Sequence, residues 1–471
     1  MKNFIRYSFI LAAGAMTFAG CKKFLNINTD PNNPLAVPES VTVPPAEVNL
    51  ATNIVGGFPA TTLAFWTQQL SINQALPTKE NYFIQPVDVN NAWSYTLYPN
   101  ILQNLKVMIS QSEAAGHNQY AAIGFAISAY SLAIITDLWG DVPYSQALQL
   151  PAITKPVYDP QQSIYGDIQN LLDSALYYIA QPASKIAPGG DDYIYKGKMT
   201  AWAKWIHMMK ARYYLRLSNA PGRTPSSQAD SALSELVNGF STNDDNAMVP
   251  YPTADGSPWY QNTDPAAGGV VIAKYFIDLL QGNNDPRLPI MATPATKGAD
   301  SSKYVGRPSG TNTVYPDYRD FSLVNSAYAD LNAPLYLATY SEQLFIKAEA
   351  TFIKSGAAAA DPVYRAAISA HMDMLGVSTG DQATYLSSKP PLTTATGLQD
   401  LITEKYIADF LSLEPYNDWR RTGFPVIPLA QNALTPYIPR RWPLPTNEVL
   451  ANPRPQDSLS LGTAVWWDPK K

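Results

Sequence analysis

The sequence contains little that redox or nucleophilic chemistry would use. Its 471 residues include one cysteine, Cys21, and three histidines, His117, His207 and His371. A single cysteine excludes an internal disulfide, so stability has to come from the packed core. Lysine and arginine, 33 in total, are outnumbered by 38 acidic residues, so the chain has no basic surplus for binding nucleic acid.

The first 21 residues predict an exported, lipid-anchored protein. Lys2 and Arg6 precede an apolar run over residues 9–19, which has the length of a signal-peptide core and is too short to span a bilayer. The run ends in small residues directly before Cys21, as in bacterial lipoproteins, where that cysteine is acylated. An incidental cysteine beside an ordinary cleavage site is the alternative. We therefore predict a signal peptide over 1–20 and lipidation of Cys21.

Proline and polar residues dominate the stretch that follows the cysteine. Pro31, Pro34 and Pro38 lie in it among asparagine and aspartate. Such a composition stays extended and buries little apolar area, so we predict a tether over 21–50. The remaining residues, 51–471, are predicted to form a single helical domain, because the 46% hydrophobic content is enough for a large core.

Apolar residues spaced three and four apart predict helices over 97–114 and 119–138. The second of these is apolar nearly all round, so a membrane span is the alternative reading. Ser128, Ser131 and Asp137 interrupt it, and no basic flank follows. A buried core helix is therefore favoured.

Start and stop signals predict six further helices. These begin at Asp159-Pro160, begin at Thr200, span 270–281, run from Thr339 to Gly356, run from Asp361-Pro362 to Gly376, and run from Leu398 to Phe410. Together the helices make about four antiparallel pairs. The segment 240–338 has little periodicity but many aromatic residues, so we predict ordered loops laid on the helical scaffold.

Short motifs recur along the chain in a definite order. They are Asn28 to Pro34, Trp139 to Tyr144, Asp285 to Leu288, Tyr340 to Gln343, Lys347 to Ala350, Glu404 to Tyr406, Glu414 to Gly423, and Pro439 to Arg441. In this order they resemble the SusD/RagB family of nutrient-binding outer-membrane lipoproteins, and more closely its SusD-like branch. Each motif is short, but the resemblance extends over nearly the whole chain.

The resemblance implies a mainly α fold of tetratricopeptide-like antiparallel helix pairs, with a loop-rich insertion that forms the ligand face. It implies a lipoprotein of the outer membrane, facing the cell surface, that binds nutrient oligosaccharides or peptides. The implied partner is a TonB-dependent transporter of the SusC type, and no cofactor or metal is implied. Lys22 and Lys23 replace the acidic cluster often linked to surface display, so surface exposure rests on the resemblance alone.

The shared motifs are predicted to be structural rather than catalytic. Glycine and proline bracket a turn in Trp139 to Tyr144, and the acids and arginines of Glu414 to Gly423 suit ion pairs between a helix end and its neighbour. A catalytic arginine is the alternative for the latter. His207 lies among apolar helix residues and is predicted to pack. No metal or nucleophile motif is present, so no catalytic residue is predicted, although two distant acids can meet in a fold.

Loop segments rich in aromatic and polar residues form the candidate ligand site, because capturing a sugar or peptide from water needs aromatic faces and a few fixed polar groups. The candidates are Asn73, Gln74, Tyr82, Phe83, Trp259, Tyr260, Asn262, Arg307, Tyr315, Tyr318 and Arg319. For each aromatic residue, packing against the scaffold is the alternative. Trp93 and Tyr95, next to a predicted helix, are assigned to packing.

Two other functions stay open on the sequence alone. One is a surface hydrolase built on a helical scaffold, which would cleave glycans. The other is a structural lid that shapes a transporter complex without touching the nutrient. Binding without chemical change is favoured over both, because aromatic loops are abundant and catalytic motifs are lacking.

Overall fold

Helices make up most of the described chain. The computed structural model describes residues 37–149, 151–252, 254, 256–263, 269–453 and 459–469. The predicted signal peptide, the lipidation of Cys21 and most of the predicted tether lie outside these residues. Residues 40–471 form one compact unit.

The long helices are separated by shorter helices and turns. In chain order they are α1 (Glu39–Val48), α2 (Phe58–Trp66), α3 (Asn104–Ala115), α4 (Asn118–Trp139), α5 (Gln161–Ile179), α6 (Met199–Arg216), α7 (Pro225–Leu236), α8 (Pro258–Thr263), α9 (Lys274–Gly282), α10 (Leu288–Met291), α11 (Ser326–Ala329), α12 (Tyr340–Ser355), α13 (Ala357–Met374), α14 (Thr379–Ser388), α15 (Gly397–Ala408), α16 (Glu414–Thr422) and α17 (Thr446–Ala451). Wider, π-type helical segments over Asn49–Val55 and Asn91–Gln103 continue α1 and lead into α3.

Short strands pair antiparallel and tie the loops to the helices. They are β1 (Leu70–Ile72), β2 (Val142–Pro143), β3 (Tyr158–Asp159), β4 (Ala247–Val249), β5 (Val270–Ile272) and β6 (Leu335–Ala338). The pairs are β1 with β5, β2 with β3, and β4 with β6. Two of the three pairs therefore anchor the loop-rich middle of the chain, from β4 to β6.

Neighbouring helices pack in pairs, which confirms the predicted mainly α architecture. The pairs are α3 with α4, α4 with α5, α6 with α7, and α12 with α13. Among the residues that the structure describes, α4 is the helix long and apolar enough to cross a membrane, but 94% of its most apolar stretch is buried inside the fold. The prediction of a core helix is confirmed, because the other helices supply the apolar surroundings that a bilayer would otherwise supply.

The end of α4 is a junction of aromatic side chains. The Trp139 ring is fully buried, and its indole N–H donates to the carbonyl of Pro443 at 2.8 Å. Its ring meets those of Trp93 and Trp442 edge-on, with centroids 5.1 and 5.3 Å apart. Gly140 then ends the helix with a φ of +81°, which favours glycine. The structural interpretation of the Trp139 to Tyr144 motif is confirmed.

Buried ion pairs hold α16 against α6, α12 and α15. Arg421 pairs with Glu349 of α12 and, at 2.8 Å, with Asp418. Lys405 of α15 reaches Asp418 at 2.5 Å. Burial alone would raise the pKa of Asp418, but Lys405 and Arg421 hold it well below its ordinary value. The predicted ion-pair role of the Glu414 to Gly423 motif is confirmed.

Residues 39–50, predicted as the end of an extended tether, are instead helical. They form α1 and the start of the next wide turn, and Val43 and Leu50 are fully buried. Pro44 and Pro45 lie inside this helix, and Asn49 donates to the Pro45 carbonyl at 2.8 Å. The prolines suggested an extended chain, but the packing of the apolar residues makes this segment helical.

The predicted helix over 270–281 is correct only from Lys274 onward. Val270, Val271 and Ile272 form β5 and pair with β1, because β-branched side chains suit an extended, packed strand. Asp159 does not cap α5, since its carboxylate accepts the N–H groups of Tyr144 and Ser145. The first N–H of that helix donates to Asp141 at 2.9 Å instead.

Three more predicted helix boundaries shift. Thr200 lies inside α6, which begins at Met199, and α13 begins at Ala357, four residues before the predicted start at Asp361. The helix predicted to reach Phe410 ends at Ala408. The cap at Thr339 is confirmed, because its hydroxyl accepts the N–H of Glu342 at 3.1 Å. Local sequence signals therefore locate helices better than they locate helix starts.

Candidate functional site

A groove of about 600 Å³ opens where the two wide helical segments meet α2 and α8. We call it the Tyr95 groove. It is lined by Thr52, Asn53, Gly57, Phe58, Pro59, Asp88, Asn91, Ala92, Tyr95, Thr96, Pro258, Gln261 and Asn262. Segments far apart in sequence thus build one concave surface of the size that a small ligand needs.

Two aromatic rings are exposed in the Tyr95 groove. The Tyr95 side chain is 65% exposed and Phe58 is 37% exposed. The Phe58 ring packs edge-on against buried Trp442, with centroids 5.7 Å apart, so one side of it is held by the core. A ring fixed in this way offers an apolar face to the C–H groups of a bound molecule at little cost in side-chain entropy.

Amide side chains surround the rings and are oriented by the scaffold. The Asn262 amide N–H donates to the Gly56 carbonyl, and the Asn53 amide N–H donates to Asn49 at 2.9 Å. Each bond fixes the direction of the carbonyl oxygen on the same amide group. A Cβ added to Gly57 would lie 2.3 Å from the Asn53 carbonyl oxygen, so glycine is needed for the close turn beside them.

Asp88 is the single charged residue among the described residues that line the Tyr95 groove. Its carboxylate is paired with Lys79 at 2.7 Å and accepts the N–H of Gln85 at 2.7 Å. The groove therefore has a nearly neutral lining. Glycoside cleavage by two carboxylates would need a second acid, which this described lining does not contain.

The predicted loop residues around Asn73 come together at a second place. The Asn73 amide donates to the Tyr315 carbonyl and accepts the Tyr315 N–H, both at 2.9 Å. The Tyr315 ring packs edge-on against Phe321 at 4.7 Å. Tyr318 and Arg319 follow along this loop, with the Arg319 guanidinium over the Tyr318 ring at 5.7 Å and paired with Asp317 at 2.5 Å. Gln74 is exposed beside this cluster.

Arg307 and Tyr82 lie inside the loop region rather than on its surface. The fully buried Arg307 guanidinium pairs with Glu80 at 2.7 Å and donates to the Thr311 and Thr313 carbonyls. Burial raises the pKa of Tyr82 to about 12, and its hydroxyl accepts the Ala430 N–H at 3.0 Å. Both side chains hold loops in place, as expected of buried polar groups. Phe83 is half-buried, with the Lys79 ammonium 5.5 Å from its ring.

Trp259 and Tyr260 are neighbours in sequence but point to different environments. Trp259 is 3% exposed and lines a small cavity of about 50 Å³ that also touches Asp409. Tyr260 is 41% exposed. The assignment of Trp93 to packing agrees with its 3% exposure, but Tyr95 is the most exposed ring of the groove. The sequence did offer a signal for this exposure: Tyr95 follows buried Trp93 by two positions, which in a helix places the two side chains on opposite sides.

Two histidines outside the groove, His371 and His207, are engaged in structural contacts. His371 is fully buried between Arg287, 3.2 Å from its Nδ1, and the Tyr328 hydroxyl, 3.1 Å from its Nε2. Burial and then Arg287 hold the pKa of His371 well below its ordinary value. His207 contacts Glu235 at 2.7 Å. Within the described ranges, no three histidine, cysteine, aspartate or glutamate side chains are grouped to hold a metal ion.

Residues 31–445 match the model of the SusD-like family described as starch-binding and associating with the outer membrane. No curated protein matches the sequence. A chitin-binding protein of known structure matches with a TM-score of 0.79 and 24% identity, over 92% of this chain and 100% of that one.

Two further solved structures give the same picture. A chitin-binding SusD homologue from Flavobacterium johnsoniae matches with a TM-score of 0.77 and 20% identity, over 91% of this chain and 98% of that one. A SusD/RagB family protein from Bacteroides thetaiotaomicron matches with a TM-score of 0.77 and 22% identity, over 92% and 99%. At these identities the likeness shows the fold.

Proposed function

The chain belongs to the SusD/RagB family, and on that basis we propose that it captures a nutrient oligosaccharide at the outer membrane and passes it unchanged to a TonB-dependent transporter of the SusC type. Lipidation at Cys21 would anchor it, with the body facing the cell surface. The family description, starch-binding and associating with the outer membrane, supports both the ligand class and the location.

The observation that carries this proposal is the Tyr95 groove. It combines exposed Tyr95 and Phe58 rings with oriented amide groups of Asn53 and Asn262 in one concavity. Sugar rings present apolar C–H faces and hydroxyl groups at their edges, so they need both kinds of partner. The neutral lining favours an oligosaccharide over a peptide, whose charged ends and side chains would find few partners here.

The loop residues predicted from sequence enter the proposal with different roles. Asn262 lines the Tyr95 groove, and we propose that exposed Tyr260 contributes to binding. Asn73, Gln74, Phe83, Tyr315, Tyr318 and Arg319 are proposed to form a further contact surface for a longer ligand. Tyr82, Trp259 and Arg307 are proposed to act indirectly, because they are buried and fix the loops that carry the exposed residues.

Titration calorimetry with defined oligosaccharides tests the proposal. Chito-oligosaccharides are the first ligands to try, since two structural relatives are chitin-binding proteins. Malto-oligosaccharides follow from the family description. We expect Tyr95→Ala to weaken binding by about tenfold or more without lowering the thermal midpoint. The matched control is Tyr177→Ala, which removes a 60% exposed tyrosine on α5 and leaves affinity unchanged.

Three results would contradict the proposal. Equal affinity of the Tyr95→Ala variant and the unmodified protein would mean that the groove is not the site. New reducing ends in the oligosaccharide mixture would indicate a hydrolase. No binding of any tested ligand, with substrate selection unchanged in the isolated transporter, would indicate a structural lid.

A further inference from the structure

A second groove, of about 500 Å³, lies where the loop before α6 meets the segment leading into β4. We call it the Tyr193 groove. Its described lining includes Tyr193, Lys196, Lys198, Asp244 and Met248. It shares no lining residue with the Tyr95 groove.

One buried carboxylate fixes the loop that carries Tyr193. Asp192 is fully buried and accepts the backbone N–H groups of Ile194 at 3.1 Å, Tyr195 at 3.0 Å and Gly197 at 2.8 Å. It also accepts the indole N–H of Trp202 at 2.7 Å. Four hydrogen bonds to one buried side chain hold this loop in one conformation before any ligand arrives.

The charges that line the Tyr193 groove leave two lysines available. Lys204 donates to both carboxylate oxygens of Asp245, at 2.9 and 2.8 Å, so these two charges compensate each other. Lys196 and Lys198 are exposed, and Asp244 is the remaining acid of the lining. The lining therefore has three lysines and two acids, a positive excess of one charge, although the whole chain has a net charge of −5.

Apolar surface lies beside these lysines. The Tyr193 side chain is 39% exposed and Met248 is 38% exposed, and both line the groove. A ring face in the same groove as two lysines suits a sugar ring that carries an anionic substituent, which would stack on Tyr193 and pair with Lys196 or Lys198.

We infer that the Tyr193 groove is a second binding site, for oligosaccharides that bear carboxylate or sulfate groups. An acidic peptide would also meet the lysines. The flat Tyr193 ring favours the sugar, because a pyranose offers a broad C–H face to stack on it. The Tyr95 groove, with no lysine or arginine among its described lining residues, would take uncharged oligosaccharides independently of this site.

Titration calorimetry of the full mature protein tests this inference. The probes are tetragalacturonate, a sulfated tetrasaccharide and uncharged maltotetraose, each at low and at physiological salt. We expect at least one anionic probe to bind, and more weakly as salt is added. The double variant Lys196→Gln with Lys198→Gln should lose about tenfold or more in affinity for it, and Tyr193→Ala should also weaken it.

A matched control separates a local site from net charge. Lys185→Gln with Lys297→Gln removes the same charge from two exposed lysines outside the groove and should leave affinity unchanged. Tyr95→Ala should leave anionic binding unchanged as well, so this inference can fail while the proposed function stands.

Four outcomes would overturn the inference. They are no binding of either anionic probe, an equal loss in both double-lysine variants, full affinity of Tyr193→Ala, and tighter binding of a tetraglutamate peptide than of the anionic sugars at the same lysines. Thermal midpoints of all variants are measured alongside, and unchanged midpoints are expected because the substituted side chains are exposed.

Discussion

The helix junction around α16 buries its paired charges, whereas the Tyr95 groove leaves its paired carboxylate partly exposed and an aromatic ring open to solvent. At the junction, Arg421 and Glu349 are almost completely buried and paired with each other. In the groove, the carboxylate of Asp88 is already paired with Lys79, and the Tyr95 ring is open to solvent. On the function proposed above, stability and binding would therefore depend on separate parts of the molecule. Substitutions should therefore change one property at a time.

The largest effect is expected at the junction. Arg421→Ala leaves Glu349 buried without its cation and Asp418 with Lys405 alone, which should lower the free energy of unfolding by about 3–5 kcal/mol. Chemical denaturation measures this loss. The control is Lys354→Ala, whose surface pair with Asp230 at 2.7 Å should contribute well under about 1 kcal/mol. Similar losses in both variants would show that burial does not set the energy of these pairs.

The next prediction compares two adjacent residues, of which one is buried in the scaffold and the other is exposed. Trp259→Ala removes a buried ring beside a cavity and should cost about 3 kcal/mol of stability. Tyr260→Ala removes a ring that is 41% exposed, and its effect on stability should stay within about 0.5 kcal/mol. Thermal or denaturant unfolding of the two variants decides between them. A larger loss of stability in Tyr260→Ala than in Trp259→Ala would mean that Tyr260, rather than Trp259, belongs to the packed scaffold.

Local patterns in the sequence are enough to predict several of the long helices. The periodicity of α4 and the Thr339 cap of α12 depend on residues within a few turns of each other. The ion pairs of the Glu414 to Gly423 motif could be predicted because buried opposite charges attract each other strongly. The β5 strand was missed because Val270 to Ile272 is also compatible with a helix until its partner β1, 200 residues away, is known.

The Tyr95 groove could not be assembled from the sequence. Its walls come from α2, from the wide helical segments and from α8, and only the tertiary fold brings Phe58, Tyr95 and Asn262 together. Whether a loop aromatic residue packs or is exposed depends on the same long-range contacts. Trp259 and Tyr260 received the same prediction and have opposite exposures.

A smaller effect should appear in binding alone. Asn91 is exposed in the Tyr95 groove, so Asn91→Ala should remove one ligand hydrogen bond and weaken oligosaccharide binding by about 1 kcal/mol, roughly fivefold. Stability should not change. Asn104→Ala, in the same helical stretch but outside the groove, is the matched control for calorimetric titration. Loss of affinity in both variants would point to a general change in the helix.

The last effect depends on pH and concerns a buried acid, Glu47, whose carboxyl group has no basic neighbour that lowers its pKa, unlike that of Asp418. Glu47 is fully buried, and its carboxylate accepts the Tyr193 N–H at 2.7 Å. Burial, and then the nearby Asp192, raise the pKa of Glu47 well above its ordinary value. The folded state therefore keeps a proton that the unfolded state loses above pH about 4.3, so this group lowers stability as pH rises. Glu47→Gln keeps the acceptor oxygen but has no proton to lose. Its stability should match that of the unmodified protein near pH 4 and exceed it increasingly towards pH 8, as measured by thermal midpoints across that range.

Asp418→Asn should behave in the opposite sense, because the pKa of Asp418 is lowered. The loss of stability in this variant should be complete above pH about 3.9 and should shrink as the medium becomes more acidic. Parallel pH profiles for the two variants would mean that paired cations do not distinguish these buried acids.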